Sequence, residues 1–463
     1  MLRSAPALKE DRPMKSKTFS RRQVLGFGIG LAAAPFVITR RTQAAAPAPG
    51  GNFDWMQQKG KSLVAIAPLA SYYTVLQKLI PDFIKLTGIQ VEYQVIPEQQ
   101  IRQKLPIELN AKSAAIDVYA SSMHVEKLLF SAAGWYEPLN KYLENRNLTP
   151  PDYNWKDYGP AGTYWGLKAD GTVIAIPMGL GLCAYMYRKD LYAQKGLKPT
   201  TTVDELLAAV KALHSPPAVF GYAGRGLKNA NIPVWGCLTI ALGGNYLDDS
   251  KTTLLATSPE AIEAAKIYAE LMRNYSPAGS IGFNWMECQG AFTQGIVACW
   301  PDSIQFAAPF EDPTKSKVKG KCGYAPHPGS SKRKPFGGTS MDAIALNPFG
   351  KNKEAAWLFA AWITSRPVQF RLMAEGAMIG TRTSIYQDPE FVKAHHMPKE
   401  WIDAVSEALR NPIPQLPEVR DVSQYRDIYG IALTKIIEGS DAKTMLEQAT
   451  REFEPIFQKG LRA

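Results

Sequence analysis

Residues 62–96 read SLVAIAPLASYYTVLQKLIPDFIKLTGIQVEYQVI, and the changes of period inside this stretch decide the fold class. Ser62–Ala67 is a short apolar run closed by Pro68, which suits a buried strand. Val75, Leu76, Leu79, Ile80, Phe83 and Leu86 then recur at helical spacing, and Gly88 is a good stop for that helix. Ile89, Val91, Tyr93 and Val95 alternate with polar residues, which is strand periodicity. Strand, helix and strand in so short a span make a βαβ unit, with a parallel pair and a right-handed crossover.

The same logic continues along the chain. Ile116–Tyr119 reads as another strand, followed by a helix ending near Gly134. Val173–Ile176 and Cys183–Tyr187 read as strands, and Asp190–Lys195 as a short helix. Thr202 and Glu205 form a capping box, and Ser258-Pro259-Glu260 opens a further helix with proline where its missing N–H costs nothing. Asn352–Ser365 and the region from Trp401 onward read as helical. The expected fold is α/β, with parallel-rich sheets in two lobes and ligands gathered at strand C-terminal ends.

The 463 residues carry a formal charge of +11, unevenly placed. Residues 1–44 hold nine Lys/Arg against two Asp/Glu, so only +4 remains for everything after them. A nucleic-acid partner would need a basic face on the body of the protein, and is excluded on this distribution. Within the same segment, Arg21-Arg22 precede a weakly apolar run from about Val24 to Ile38, and Thr42-Gln43-Ala44 offers small residues for cleavage. The run is shorter than the ~20 residues a membrane-spanning helix needs. Basic, apolar and small-residue regions with a twin arginine resemble a twin-arginine (Tat) export signal over residues 1–44. Residues 45–61, beginning AAPAPGG, are expected to be a linker, and the mature protein to be periplasmic. The first cysteine is Cys183, so no lipid-anchored cysteine can follow such a cleavage.

Five cysteines are too few for a disulfide scaffold; Cys288 and Cys299 either pair or remain buried free thiols. No spacing of the CxxC or HExxH kind marks a metal site, and the adjacent His395 and His396 are expected to face solvent. No cofactor is expected. Neither GxGxxG at a strand–helix turn nor GxSxG occurs, so no motif of this kind supports an enzyme.

Several stretches carry a more specific signal. AYMYRKDL at 184–191 leads to GLKPTTTVDEL at 196–206; FGYAGRG follows at 220–226, GAFTQGIVACWPD at 290–302, Gly337-Gly338, and NKEAAW at 352–357. In this order they resemble the family-1 extracellular solute-binding proteins, the maltose- and polyol-type receptors of ABC importers, over nearly all of residues 62–460. The resemblance implies two α/β lobes joined by crossing segments and closing around one solute. It places the first lobe at 62–178 plus 342–385 and the second at 179–341 plus 386–463. Crossings are expected near Pro177–Leu182, Gly337–Asp342 and Gly380–Asp388. It further implies a sugar, sugar alcohol or short oligosaccharide as solute, ABC permease subunits as partners, and a monomer.

Sugars and polyols offer apolar C–H faces and a belt of hydroxyls, so an aromatic ring beside a carboxylate, amide or arginine suits them. GIVACWPDS at 295–303 supplies Trp300 as platform and Asp302 as acceptor; the alternative is a core Trp300 with Asp302 or Ser303 capping a helix. Arg382 resembles the family's arginine on a loop facing the cleft, or else makes a salt bridge. Trp235 with Asn231 walls the cleft, or Trp235 is core. Ser121, Ser122 and His124 follow a strand end, as do Tyr72 and Gln99, where capping is the competing role. Gly338 allows a hinge or a close approach to solute. Trp285 and Glu287 are further candidates. Two alternatives stand beside this reading: a Tat-exported carbohydrate-active enzyme with two carboxylates, and a receptor for a non-sugar solute such as a polyamine.

Overall fold

The structure, a computed structural model, describes residues 51–376, 378–408 and 410–462. The expected export signal, residues 1–44, lies outside the described residues, as do 45–50 of the expected linker. Later in that linker Trp55–Gln58 form a 3-10 turn, capped by the Asp54 side chain. Trp55 packs against the first-lobe core and the Gln58 amide donates to Glu354, so this part is docked.

Among the described residues ten strands lie in chain order: β1 Ser62–Pro68, β2 Gln90–Ile96, β3 Val118–Ser122, β4 Ile176–Arg188, β5 Phe220–Tyr222, β6 Val297–Ser303, β7 Cys322–Pro326, β8 Gly337–Leu346, β9 Ile379–Gly380 and β10 Pro412–Pro414. β1 pairs in parallel with both β2 and β3, with the helix Ser71–Thr87 as crossover. That helix ends on Gly88 in the left-handed conformation, where a side chain would be strained, and the Gly88 N–H caps the Ile84 carbonyl. The Thr202–Glu205 capping box is present in both directions. Ser258 caps the helix Pro259–Tyr275.

Two long antiparallel strands join the lobes. The second half of β8 lies beside β3, from Val118↔Leu346 to Ser122↔Asp342. The second half of β4 lies between β6 and β7, and Cys183 at its start stands opposite both Ser303 and Gly338. β4 and β8 pair with each other through the crossing, and their register shifts between Pro177 and Gly179. These are the segments where Pro177–Leu182 and Gly337–Asp342 are expected to cross. The third passage differs from expectation. β9 pairs with β4 at Gly179–Leu180, but the chain then stays with the first lobe: Phe391 packs on Phe370 in the cluster of Phe83 and Trp357. Trp401 belongs to the cluster of Trp300 and Ile304 and donates to the Ile304 carbonyl at 3.0 Å. The crossing therefore falls between Ala394 and Lys399, not at Gly380–Asp388. His395 lies in it and is buried between Phe391 and Trp401, against the expectation that it faces solvent; two aromatic rings give it a better environment than one-sided exposure would.

All five cysteines are buried free thiols, which resolves Cys288 and Cys299 as unpaired. Among the described residues no helix is long and apolar enough to cross a membrane.

Candidate functional site

The C-terminal ends of β1, β2 and β3 open on one place, as strand ends in an α/β sheet do. Tyr72 opens the helix after β1, Glu98 and Arg102 lie on the helix Glu98–Asn110 after β2, and Ser122 and His124 follow β3. From the second lobe come Arg225 after β5, Ser303, Gln305 and Phe306 at the end of β6, Trp285 from the helix Trp285–Thr293, and Gln415 after β10. The shared strand β8 adds Ser340 and Asp342. These residues enclose a cavity of about 80 Å³. Leu69, Ala70, Trp285 and Phe306 also line a larger cleft of about 670 Å³ beside it, so the small chamber continues into a mouth.

On the first-lobe side the Asp342 carboxylate accepts hydrogen bonds from the Tyr72 hydroxyl at 2.7 Å and the Ser122 hydroxyl at 3.3 Å. Burial pushes Asp342 up to about 6, and the Tyr72 phenol, raised by burial and then by Asp342, stays a donor. Glu98 accepts a fork from Arg102, Nη2 at 2.5 Å and Nε at 3.0 Å. Burial works to raise Glu98, but Arg102 and then Arg426 outweigh it and hold the carboxyl at about 2. Arg102 Nη1 is buried with no hydrogen-bond partner, a donor free for a solute oxygen. His124 meets the Met341 backbone through Nδ1; burial and then Arg102 lower it to about 3, so it is neutral at physiological pH.

On the second-lobe side Arg225 is held by Asp302 through two parallel bonds, Nε to Oδ2 at 2.8 Å and Nη2 to Oδ1. The Trp300 indole N–H donates to the same carboxylate at 3.1 Å, and the Tyr268 hydroxyl to the Arg225 carbonyl at 2.6 Å. The guanidinium lies over the Phe306 ring at 5.6 Å. Trp285, Phe306 and Trp300 form a stack, with centroids 4.5 Å and 6.2 Å apart and planes within 9° and 11°. Charged donors and acceptors beside a flat ring face suit a neutral, hydroxyl-rich guest.

The sequence profile of the bacterial extracellular solute-binding proteins matches residues 67–370. The chain belongs to this family. A solute-binding protein of Agrobacterium radiobacter K84 in complex with ribitol superposes at a TM-score of 0.78, with 24% identity, over 86% of this chain and 99% of the other. One from Agrobacterium vitis S4 with bound D-mannitol gives 0.76 and 25%, over 86% and 99%. A probable amino-acid ABC transporter periplasmic-binding protein of Sinorhizobium fredii is 26% identical over 95% of this chain and 98% of its own length. The fold is thus the two-lobed periplasmic-binding-protein fold, and the protein is a solute-binding transport component, not a catalyst.

In this solute-binding protein four of the thirteen residues singled out from the sequence, Tyr72, Ser122, His124 and Trp285, line the cavity. Asp302 and Trp300 act one layer back: Asp302 is spent on Arg225, and Trp300, wholly buried, backs Phe306. The rings that the second lobe brings to the cavity are Phe306 and Trp285. Ser121 points behind β3, donating to Glu126 and meeting the Tyr136 hydroxyl. Arg382 does not reach the cleft. It is buried in the first lobe between the Tyr153 and Tyr158 rings, bonded to the Thr364 and Asn154 carbonyls and to Asp157. Trp235 and Asn231 are second-lobe core, tied to the Ala261 and Gly430 carbonyls. Gln99 touches Asn229 across the lobes at 3.4 Å, and Gly338 is packed under Cys237 and Cys183 and does not line the cavity. Sequence reading missed Asp342, Arg102, Glu98 and Arg225 as site residues. A lone carboxylate in the apolar run Met341–Leu346 was the signal for Asp342, since such a charge is rarely buried without a use.

Proposed function

We propose that this protein is the periplasmic receptor of an ABC importer for a small polyhydroxylated solute, a sugar alcohol, sugar or short oligosaccharide. It closes two lobes around the solute as a monomer and presents the closed form to the permease. The observation that carries this is the single cavity in which Trp285 and Phe306 meet Asp342, Arg102 and Arg225, with both lobes contributing. The ribitol- and mannitol-bound relatives support the solute class. Binding energy drives closure because the guest touches both sides only in the closed form. The lobes that close are taken as 62–178 with 342–385, and 179–341 with 386–463; the packing of Phe391 and Trp401 favours moving the last boundary to Ala394.

Thermal-shift measurements across polyols, sugars and amino acids test the reading. A polyol or sugar at 100 times its dissociation constant is expected to stabilise the protein by about 2.7 kcal/mol. A panel in which only amino acids shift the transition would overturn it, as would turnover of a glycoside. Export is proposed to follow the twin-arginine route. Arg21→Lys combined with Arg22→Lys is expected to retain the precursor in the cytoplasm, and unchanged export by fractionation would refute that route.

A further inference from the structure

We propose that Cys183, Cys237 and His327 form a three-coordinate site for a soft monovalent d10 cation, Cu(I), inside the second lobe. The three residues come from separate elements: β4, the helix Ile232–Ala241 and the turn after β7. One donor atom of each lies within 4.8 Å of the other two, and all three side chains are buried. Their convergence needs an absent side chain. A Cβ on Gly338 would stand 2.8 Å from Cys237 Sγ and 2.9 Å from Cys183 Cβ, so the glycine on β8 keeps open the space the two sulfurs share. A side chain there would crowd both cysteines.

The histidine carries the tautomer a ligand would. Its Nδ1 sits 2.9 Å from the Pro328 carbonyl, and since a carbonyl only accepts, Nδ1 carries the proton and Nε2 holds the lone pair. Metal-bound imidazoles commonly donate their other nitrogen to a carbonyl in this way, which fixes ring and tautomer. Two backbone bonds between His327 and Phe336, with the rings 5.0 Å apart, hold the turn in place. Two thiols and one imidazole exclude hard cations, which take oxygen donors. Zn(II) in a closed site takes four ligands, whereas Cu(I) is satisfied by soft thiolates at lower number. Loading displaces both thiol protons to solvent and leaves the metal as Cu(I), with no change of oxidation state. Because the site is enclosed, loading accompanies folding, and the ion then clips the shared strand β4 to the body of the second lobe.

The test uses the mature chain, unfolded and refolded anaerobically with ascorbate and one equivalent of Cu(I), then challenged with bicinchoninate and assayed for metal by mass spectrometry. The wild type is expected to retain one copper per chain. Cys237→Ser and His327→Ala are each expected to lower retention by more than about 10- to 100-fold, the loss that follows even an outer-shell change, with solute binding unaltered. Should a variant fail to fold, the wild-type copper content decides alone. Wild-type protein that keeps no copper would overturn the proposal. So would retention of Zn(II) in preference, or a Cys183–Cys237 disulfide seen as a mass lower by two hydrogens.

Discussion

Asp342→Asn is expected to weaken solute binding about 100-fold and, at pH 7, to raise the melting temperature of the solute-free protein. The carboxylate stands where β8 passes through the cleft, and both lobes depend on that strand. A hydrogen bond to a charged group contributes roughly 1.5–3 kcal/mol against about 1 for a neutral one, and two weakened solute bonds amount to about two decades in affinity. The stability effect has the opposite sign. Burial pushes Asp342 up from 3.8 to about 6, so between these values the folded chain keeps a proton that the unfolded chain has released. Stability is therefore fullest below about pH 4 and declines as pH rises to about 6, beyond which the whole burden of the buried charge is carried. Asparagine has no charge to bury. The variant should lose part of that decline and melt higher at neutral pH. The slope will not vanish, because Glu126 is raised by burial from 4.5 to about 7 and acts in the same sense. Melting temperatures of both proteins across pH 4–8, beside calorimetric titrations with solute, measure the two effects together. A variant that binds normally, or melts lower at pH 7, would mean that Asp342 is held by its neighbours as a structural anion.

That Asp342 escaped a reading of the sequence, while the first βαβ unit did not, follows from what each depends on. The β1–helix–β2 unit was legible because its apolar residues recur at periods fixed by local geometry, and Gly88 and the Thr202–Glu205 pair mark helix ends through bonds to near neighbours. The passages through β4 and β8 were placed only through the resemblance to the solute-binding family. Arg382 shows the limit. Its loop could be found, but its partners Asn154 and Asp157 lie 228 and 225 residues away, and nothing local says that the side chain turns into the first lobe. Arg102 and Glu98 look like a surface i, i+4 pair on a helix, and only the second lobe, arriving with Arg426 and Arg225, makes them part of a buried site. Alternation normally tells cleft from core along a strand. β6 is buried at every position from Val297 to Ser303, so the rule has nothing to act on there.

Trp300 is where this matters most, and Trp300→Ala is expected to destabilise the solute-free protein by about 3–5 kcal/mol. The indole is wholly buried among Phe292, Phe306 and Phe310, and alanine would leave a cavity that three fixed rings cannot collapse into. A donor to Asp302 is lost as well, although Arg225 and the Ser303 N–H remain to it. Against a total of 5–15 kcal/mol for a typical domain, this is a large fraction. Trp285→Ala should divide the effects differently. It removes the outer ring of the same stack, one that lines both the chamber and its mouth, so affinity should fall further and stability less. Denaturant unfolding of the two solute-free variants, followed by titration of each below its transition, separates a ring that supports from a ring that touches. If Trp300→Ala unfolds like wild type and no longer responds to solute, the order of the stack is reversed: Trp300 is the contact surface and Phe306 moves aside when the lobes close.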